Sequence, residues 1–181
     1  MKILAFAGSL RKGSYNKSLL RAAKDAAPDG MDIIIFDLEG IPLFNADVEA
    51  EGDPQKVEAF KSAIREADGI LIASPEYNHG MTGATKNAID WASRPAKDAP
   101  ISGKPVGIAG ASSGITGTAR SQDQLRQSLK SINAHCMALP EFLLFRAREK
   151  FDENGVLTDE STRKHMDKYL DAFEKWVSRF Q

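Results

Sequence analysis

The chain has 181 residues, enough for one domain with a substantial buried core, and its formal net charge of −1 gives no electrostatic case for nucleic acid or an anionic membrane surface. Its single cysteine, Cys136, excludes an internal disulfide framework and suits a reducing compartment. No apolar stretch approaches the roughly 20 residues of a membrane span, and the short run after Lys2 is no signal peptide, so a cytoplasmic domain over residues 1–181 is expected.

Ile3-Leu4-Ala5-Phe6-Ala7 is too short for a helix and apolar enough for a buried strand. The polar loop Gly8–Ser18 follows, and Leu19–Lys24 has helix formers at helical spacing. A strand, a glycine-containing loop and a helix start make an anion site, because the first helical amides lack internal partners and the dipole is positive there. Ser9, Ser14, Asn16 and Ser18 add short donors, and Arg11 adds a cationic fork suited to phosphate oxygens. Gly8 and Gly13 have P-loop spacing, but Ser14 and Tyr15 stand where Lys and Ser/Thr are needed. Leu10 stands where a dinucleotide fingerprint needs its second glycine. The loop reads as a phosphate cradle of neither kind.

Pro28-Asp29-Gly30 is a turn, and Met31–Phe36 a β-branched strand. A loop with Gly40, Pro42 and Asn45 becomes acidic at Glu49–Glu51. Asp53-Pro54 starts a helix as N-cap and first-turn proline, and Val57, Phe60 and Ile64 give it a core stripe. Ile70–Ala73 is a third strand, ending in Ser74-Pro75-Glu76-Tyr77-Asn78-His79-Gly80. A helix is predicted over about Gly83–Trp91, a fourth strand over Lys104–Ala109, and a loop over Gly110–Gly117. A long helix runs from about Thr118 to Asn133, and Phe142–Phe145 is the fifth strand. Thr158 is read as the cap of a last helix whose Tyr169, Phe173, Trp176 and Phe180 form a core stripe.

This alternation implies a parallel sheet with helices on both faces, five strands in the order 2-1-3-4-5. Right-handed crossovers bring the loops after strands one, three and four to one crevice. There Tyr77 offers a flat amphipathic surface, Asn78 offers donors, and glycines at 110, 114 and 117 let backbone approach a planar ligand. A phosphate cradle with two loops able to flank a ring fits FMN, whose chemistry would be the cofactor's own.

These residues resemble the NADPH-dependent FMN reductases, which include quinone and chromate reductases. The resemblance rests on Gly8–Asn16, on Pro75–Asn78, on Lys86-Asn-Ala-Ile-Asp-Trp91, and on Gly110–Gly114 with Gly117 and Arg120. It implies a flavodoxin-like three-layer α/β/α sandwich. Ser9, Arg11, Ser14 and Asn16 would bind the FMN phosphate, Pro75, Glu76, Tyr77 and Asn78 would face the ribityl chain and ring, and Ser112 and Gly114 would close the ring site. It also implies ping-pong hydride transfer from NADPH or NADH to quinone-like acceptors, the flavin rather than a catalytic side chain carrying the chemistry, in a homodimer or homotetramer. Thr82 and Thr85 stand where relatives often have Pro and Leu, and His79 where aromatic residues are common, which leaves acceptor preference and assembly open.

Other readings of the singled-out residues stay in play. A flavodoxin-type electron carrier would need a strongly acidic docking face, for which a net charge of −1 gives little support. A reductase could instead release reduced FMN to a partner monooxygenase, and a nucleotide-binding protein without redox function shares the cradle. His79, His135 and His165 show no metal-ligand spacing, and Cys136 reads as structural. Lys86 and Asp90 form a surface helix pair, while Asp90-Trp91 could anchor a subunit interface.

Overall fold

In the computed structural model, which describes residues 1–181, β1 (Lys2–Ala7) runs through the middle of the sheet. Its side chains alternate between two cores, as a period of two requires: Ile3, Ala5 and Ala7 face one, Leu4 and Phe6 the other. The chain continues through α1 (Tyr15–Asp25), β2 (Asp32–Phe36), α2 (Ala46–Glu51), α3 (Gln55–Glu66) and β3 (Gly69–Ala73). Then come β4 (Glu76–Tyr77), β5 (Gly80–Met81), α4 (Gly83–Ala92), β6 (Pro105–Ala111) and α5 (Ala119–Ser131). Last are β7 (His135–Cys136), β8 (Phe142–Leu144) and α6 (Glu160–Val177). Helices α1 and α6 cover one face with Leu19, Leu20, Met166, Leu170 and Phe173; α3, α4 and α5 cover the other with Phe60, Ile64, Ile89, Leu125 and Leu129. This is the flavodoxin-like three-layer sandwich.

The main sheet is parallel in the order β2-β1-β3-β6, with β7 and β8 both on the far side of β6. The predicted order therefore holds, but the fifth strand is split. His135–Cys136 pairs with Pro105–Val106, and Phe142–Leu144 pairs with Ala109–Ala111. Between the pieces the Tyr169 hydroxyl donates to the Ile108 carbonyl at 2.9 Å. Gly107 makes that approach feasible, since a Cβ there would lie 2.8 Å from the tyrosine oxygen.

Several predicted boundaries move for local reasons. Gly110 and Ala111 belong to β6, because β8 pairs with them. The acidic loop contains α2, whose Asn45 accepts from the Asp47 amide at 2.9 Å. Asp53 does not cap α3; the cap position is Pro54, without a side-chain bond, and the Asp53 carboxylate instead takes Lys61 Nζ at 2.7 and 2.8 Å. The last helix is capped by Asp159 rather than Thr158, its Oδ1 accepting from the Thr162 amide at 2.8 Å. In its stripe Tyr169 and Phe173 are buried and Trp176 is partly buried, but Phe180 lies outside the core and stacks on His135 with centroids 4.7 Å apart.

Candidate functional site

The carboxyl ends of β1, β3 and β6 open onto one cavity of about 250 Å³. All the predicted site residues except Asn78 line it, and Gly13, Tyr15, Ala111 and Ser113 join them. The cradle begins at Gly8, whose amide donates to the Ala73 carbonyl at 2.9 Å and whose carbonyl accepts from the Thr82 hydroxyl at 2.5 Å. Glycine is required there: a Cβ would sit 1.7 Å from Thr85 Oγ1. Ser14 caps α1, its hydroxyl oxygen accepting from the Lys17 amide at 3.4 Å. The amides of Lys12, Gly13, Ser14, Tyr15 and Asn16 have no hydrogen-bond partner in the protein. Five consecutive free donors at a helix start form an anion nest. Arg11 lines the cavity and enters no ion pair, so its guanidinium is free for an anion.

Asn16 lines the cavity and also ties the cradle to the sheet. Its carboxamide accepts from the Ala111 amide and donates to the Ala111 carbonyl, both at 2.9 Å, which ties α1 to the end of β6. One N–H of the Asn16 Nδ2 is thus engaged by backbone, which leaves its second N–H as the donor available to an anion.

The opposite wall is a hairpin that the sequence reading missed. β4 and β5 pair Glu76 with Met81 and Tyr77 with Gly80, leaving Asn78 and His79 as a two-residue turn. Both turn residues are left-handed, φ 50° and 65°, as a type I′ turn demands. Asn78 therefore lies in the turn, off the cavity, while Tyr77 remains 58% exposed beside it. The Glu76 carboxylate is nearly buried and turned away, onto the start of α5. The third wall, residues 112–114, is zipped to the segment after β8: Ser112 donates to Leu144, Ala147 to Ser112 and Arg146 to Gly114, each at 2.9 Å through backbone.

Beneath the cavity lies a buried hydroxyl cluster. Thr82 Oγ1 contacts Thr85 Oγ1 at 2.9 Å, Thr85 contacts Ser74 at 3.1 Å, Ser74 contacts Ser121 at 3.0 Å, and the Ser121 hydroxyl donates to the Pro75 carbonyl at 2.8 Å. It links the cradle, the hairpin approach and the starts of α4 and α5. Thr82 and Thr85 are therefore floor residues, not pocket-lining ones. Their signal in the sequence was a hydroxyl pair three residues apart at a helix start, Thr82 capping α4 by accepting from the Thr85 amide at 3.2 Å.

The Lys86–Trp91 motif is explained by the loop before α2. Asn87 accepts from the Phe44 amide at 2.8 Å and donates to the Pro42 carbonyl at 2.9 Å, and Trp91 Nε1–H donates to the same carbonyl at 2.8 Å. Trp91 is fully buried, so within this chain it anchors that loop. Lys86 and Asp90 do pair, at 2.6 Å on the surface. Cys136 lies in β7, and burial pushes its thiol up to about 11, the reverse of what a nucleophile needs. A larger cavity of about 430 Å³ opens beside the C-terminal half of α1, at the far end of that helix from the cradle, where Arg21 and Arg163 alternate with Asp25 and Asp167. It is not the anion site, since its charges balance.

The sequence profile of the family described as NADPH-dependent FMN reductase matches residues 1–149. An NAD(P)H-dependent FMN reductase of Pseudomonas aeruginosa is 48% identical over 181 residues, covering 100% of this chain and 97% of that protein. A quinone reductase of Escherichia coli is 41% identical over 182 residues, covering 99% and 96%. Among solved structures, the flavoenzyme NAD(P)H:(acceptor) oxidoreductase FerB of Paracoccus denitrificans superposes with a TM-score of 0.91 at 32% identity, covering 99% of this chain and 98% of that one. The chain belongs to the NADPH-dependent FMN reductase family and is an oxidoreductase of it.

Proposed function

We propose that this protein binds FMN in the 250 Å³ cavity and uses it to carry reducing equivalents from NAD(P)H to quinone-like acceptors. The observation that carries the reading is the run of unpartnered amides from Lys12 to Asn16, beside the unpaired Arg11 guanidinium. A phosphate seated against the cavity-lining part of this run, Gly13 to Asn16, would take up free amides there, with the Ser9 and Ser14 hydroxyls alongside. Tyr77 on the hairpin and the backbone of 112–114 then flank the space left for a planar ring, with Pro75 stiffening the approach. Bound FMN would accept a hydride from NADPH or NADH and pass the electrons on; the protein contributes orientation and a fixed electrostatic setting. No side chain in the cavity is assigned a catalytic proton. The names of the relatives favour quinones as acceptors. The whole of residues 1–181 works as one such unit, in the cytoplasm and as a homodimer or homotetramer.

The test is the visible spectrum of the purified protein, identification of the released chromophore, and anaerobic addition of NADPH. Released FMN, bleaching by NADPH and recolouring by a quinone are expected. R11A is expected to weaken FMN binding far more than riboflavin binding. Bound FMN that NADPH cannot reduce overturns the reductase reading in favour of an electron carrier, and a protein that binds no FMN on incubation overturns the site.

A further inference from the structure

Helix α5 begins abnormally. Its cap residue Thr118 is left-handed, φ 73°, directly after the left-handed Gly117, and its side chain makes no capping bond. The Thr118 hydroxyl oxygen instead accepts from Gln122 Nε2 at 3.1 Å and fills the space above Gly110, where a Cβ would lie 1.9 Å away. A β-branched residue in this region is strained, and a helix start without a cap leaves its first amides unsatisfied. The missing cap comes from another part of the chain. Glu76, in β4, accepts from the Arg120 amide at 3.0 Å and the Ser121 amide at 3.4 Å. Its other oxygen takes the Thr116 hydroxyl and the Arg120 guanidinium, each at 3.4 Å. A carboxylate at this end also complements the helix dipole. The second strand of the hairpin is held to the same helix, the Met81 amide donating to Gln124 Oε1 at 2.7 Å.

One carboxylate thus joins the hairpin, the 112–117 loop and α5. We propose that Glu76 is a positioning residue for the flavin ring: by capping α5 from the hairpin, it fixes the two walls between which the ring sits, without touching the ring through its charge. This rests on the FMN reading above, and it changes the expectation that Glu76 binds cofactor directly. Its substitution acts on the ring end of the site and leaves the phosphate end, built on α1, unaltered.

The experiment compares wild type, E76Q and E76A for binding of FMN and riboflavin, visible circular dichroism of the bound flavin, and amide exchange in flavin-free protein. E76A is expected to weaken riboflavin about tenfold, the scale of a lost helix cap. The ratio of FMN to riboflavin affinity stays unchanged, the flavin dichroism changes, and the Arg120 and Ser121 amides lose protection. E76Q, which keeps the shape and one acceptor, falls between. A wild type that binds flavin with variants that match it in affinity and dichroism overturns the proposal, whether or not the amides lose protection. A variant that loses FMN and riboflavin unequally overturns it as well, because the phosphate end has then moved. A wild type that binds neither flavin overturns the FMN reading, and this proposal with it.

Discussion

Asn16 and Ala111, 95 positions apart, exchange two 2.9 Å hydrogen bonds in which one carboxamide satisfies both the amide and the carbonyl of a single buried residue. The pair works as a strand rung made by a side chain. N16A leaves two buried backbone groups without partners, and a cost of about 3 kcal/mol in urea unfolding is expected. N16D keeps the acceptor but sets a carboxylate against the Ala111 carbonyl, so it is expected to be at least as unstable. Both variants should also bind FMN more weakly, because the cradle loses its registry with the 112–114 wall.

Gly8 and Thr85 compete for one volume. G8A places a Cβ 1.7 Å from Thr85 Oγ1 and is expected to destabilise the protein by about 2 kcal/mol while weakening FMN binding. T85A removes the clashing oxygen but leaves its own Cβ 3.0 Å away. The double variant is therefore expected to recover part of the loss, and a double-mutant cycle should give a coupling of about 1 kcal/mol or more. Additive effects would show that the glycine is needed for another reason.

Lys61 is 2% exposed, bound to both Asp53 oxygens and 5.4 Å from the centre of the Trp91 ring. Removing the partner strands a buried cation, so D53A is expected to cost about 3 kcal/mol. K61M leaves a carboxylate whose side chain is 26% exposed and can take water, and it fills the buried stem's place with an apolar one of similar length, so it is expected to be milder than D53A. The order of the two unfolding midpoints checks this; a milder D53A would contradict it.

Asp159 sets a pH dependence. The hydroxyls of Ser161 and Thr162, then Lys150 and the Thr162 amide, hold its carboxyl below the ordinary value of 3.8. A depressed native value means the contribution is whole above the unfolded value and lost as pH falls through the native one. Wild type is therefore expected to lose stability between about pH 4 and more acidic values, and D159N to show a shallower acid limb. The gap between the two proteins, followed by thermal unfolding at a series of pH values, should close at the acid end.

Strand order was readable because Ile3–Ala7, Ile70–Ala73 and the run after Lys104 are unbroken apolar segments between helical stretches, and because parallel strands leave few topologies. The cradle was readable too, since its donors are neighbours in sequence. What escaped were interactions across the chain. Asn78 and His79 form a left-handed turn that histidine rarely announces, and Glu76 turns from the cavity because α5 lacks a cap, a defect visible only once Thr118 is placed. The loop-anchoring role of Trp91 was not legible either, because nothing in its own helix reveals the Pro42 carbonyl it meets.

The divided fifth strand bears on how the molecule keeps to itself. A sheet margin with a continuous row of amides and carbonyls invites a foreign strand to add on. Here the margin beyond β6 consists of one piece of two residues and one of three, with the Tyr169 hydroxyl on the carbonyl between them. An incoming strand finds no continuous register along that side. The interruption that spoils the regularity of the sheet thereby guards this side against fibrillar association.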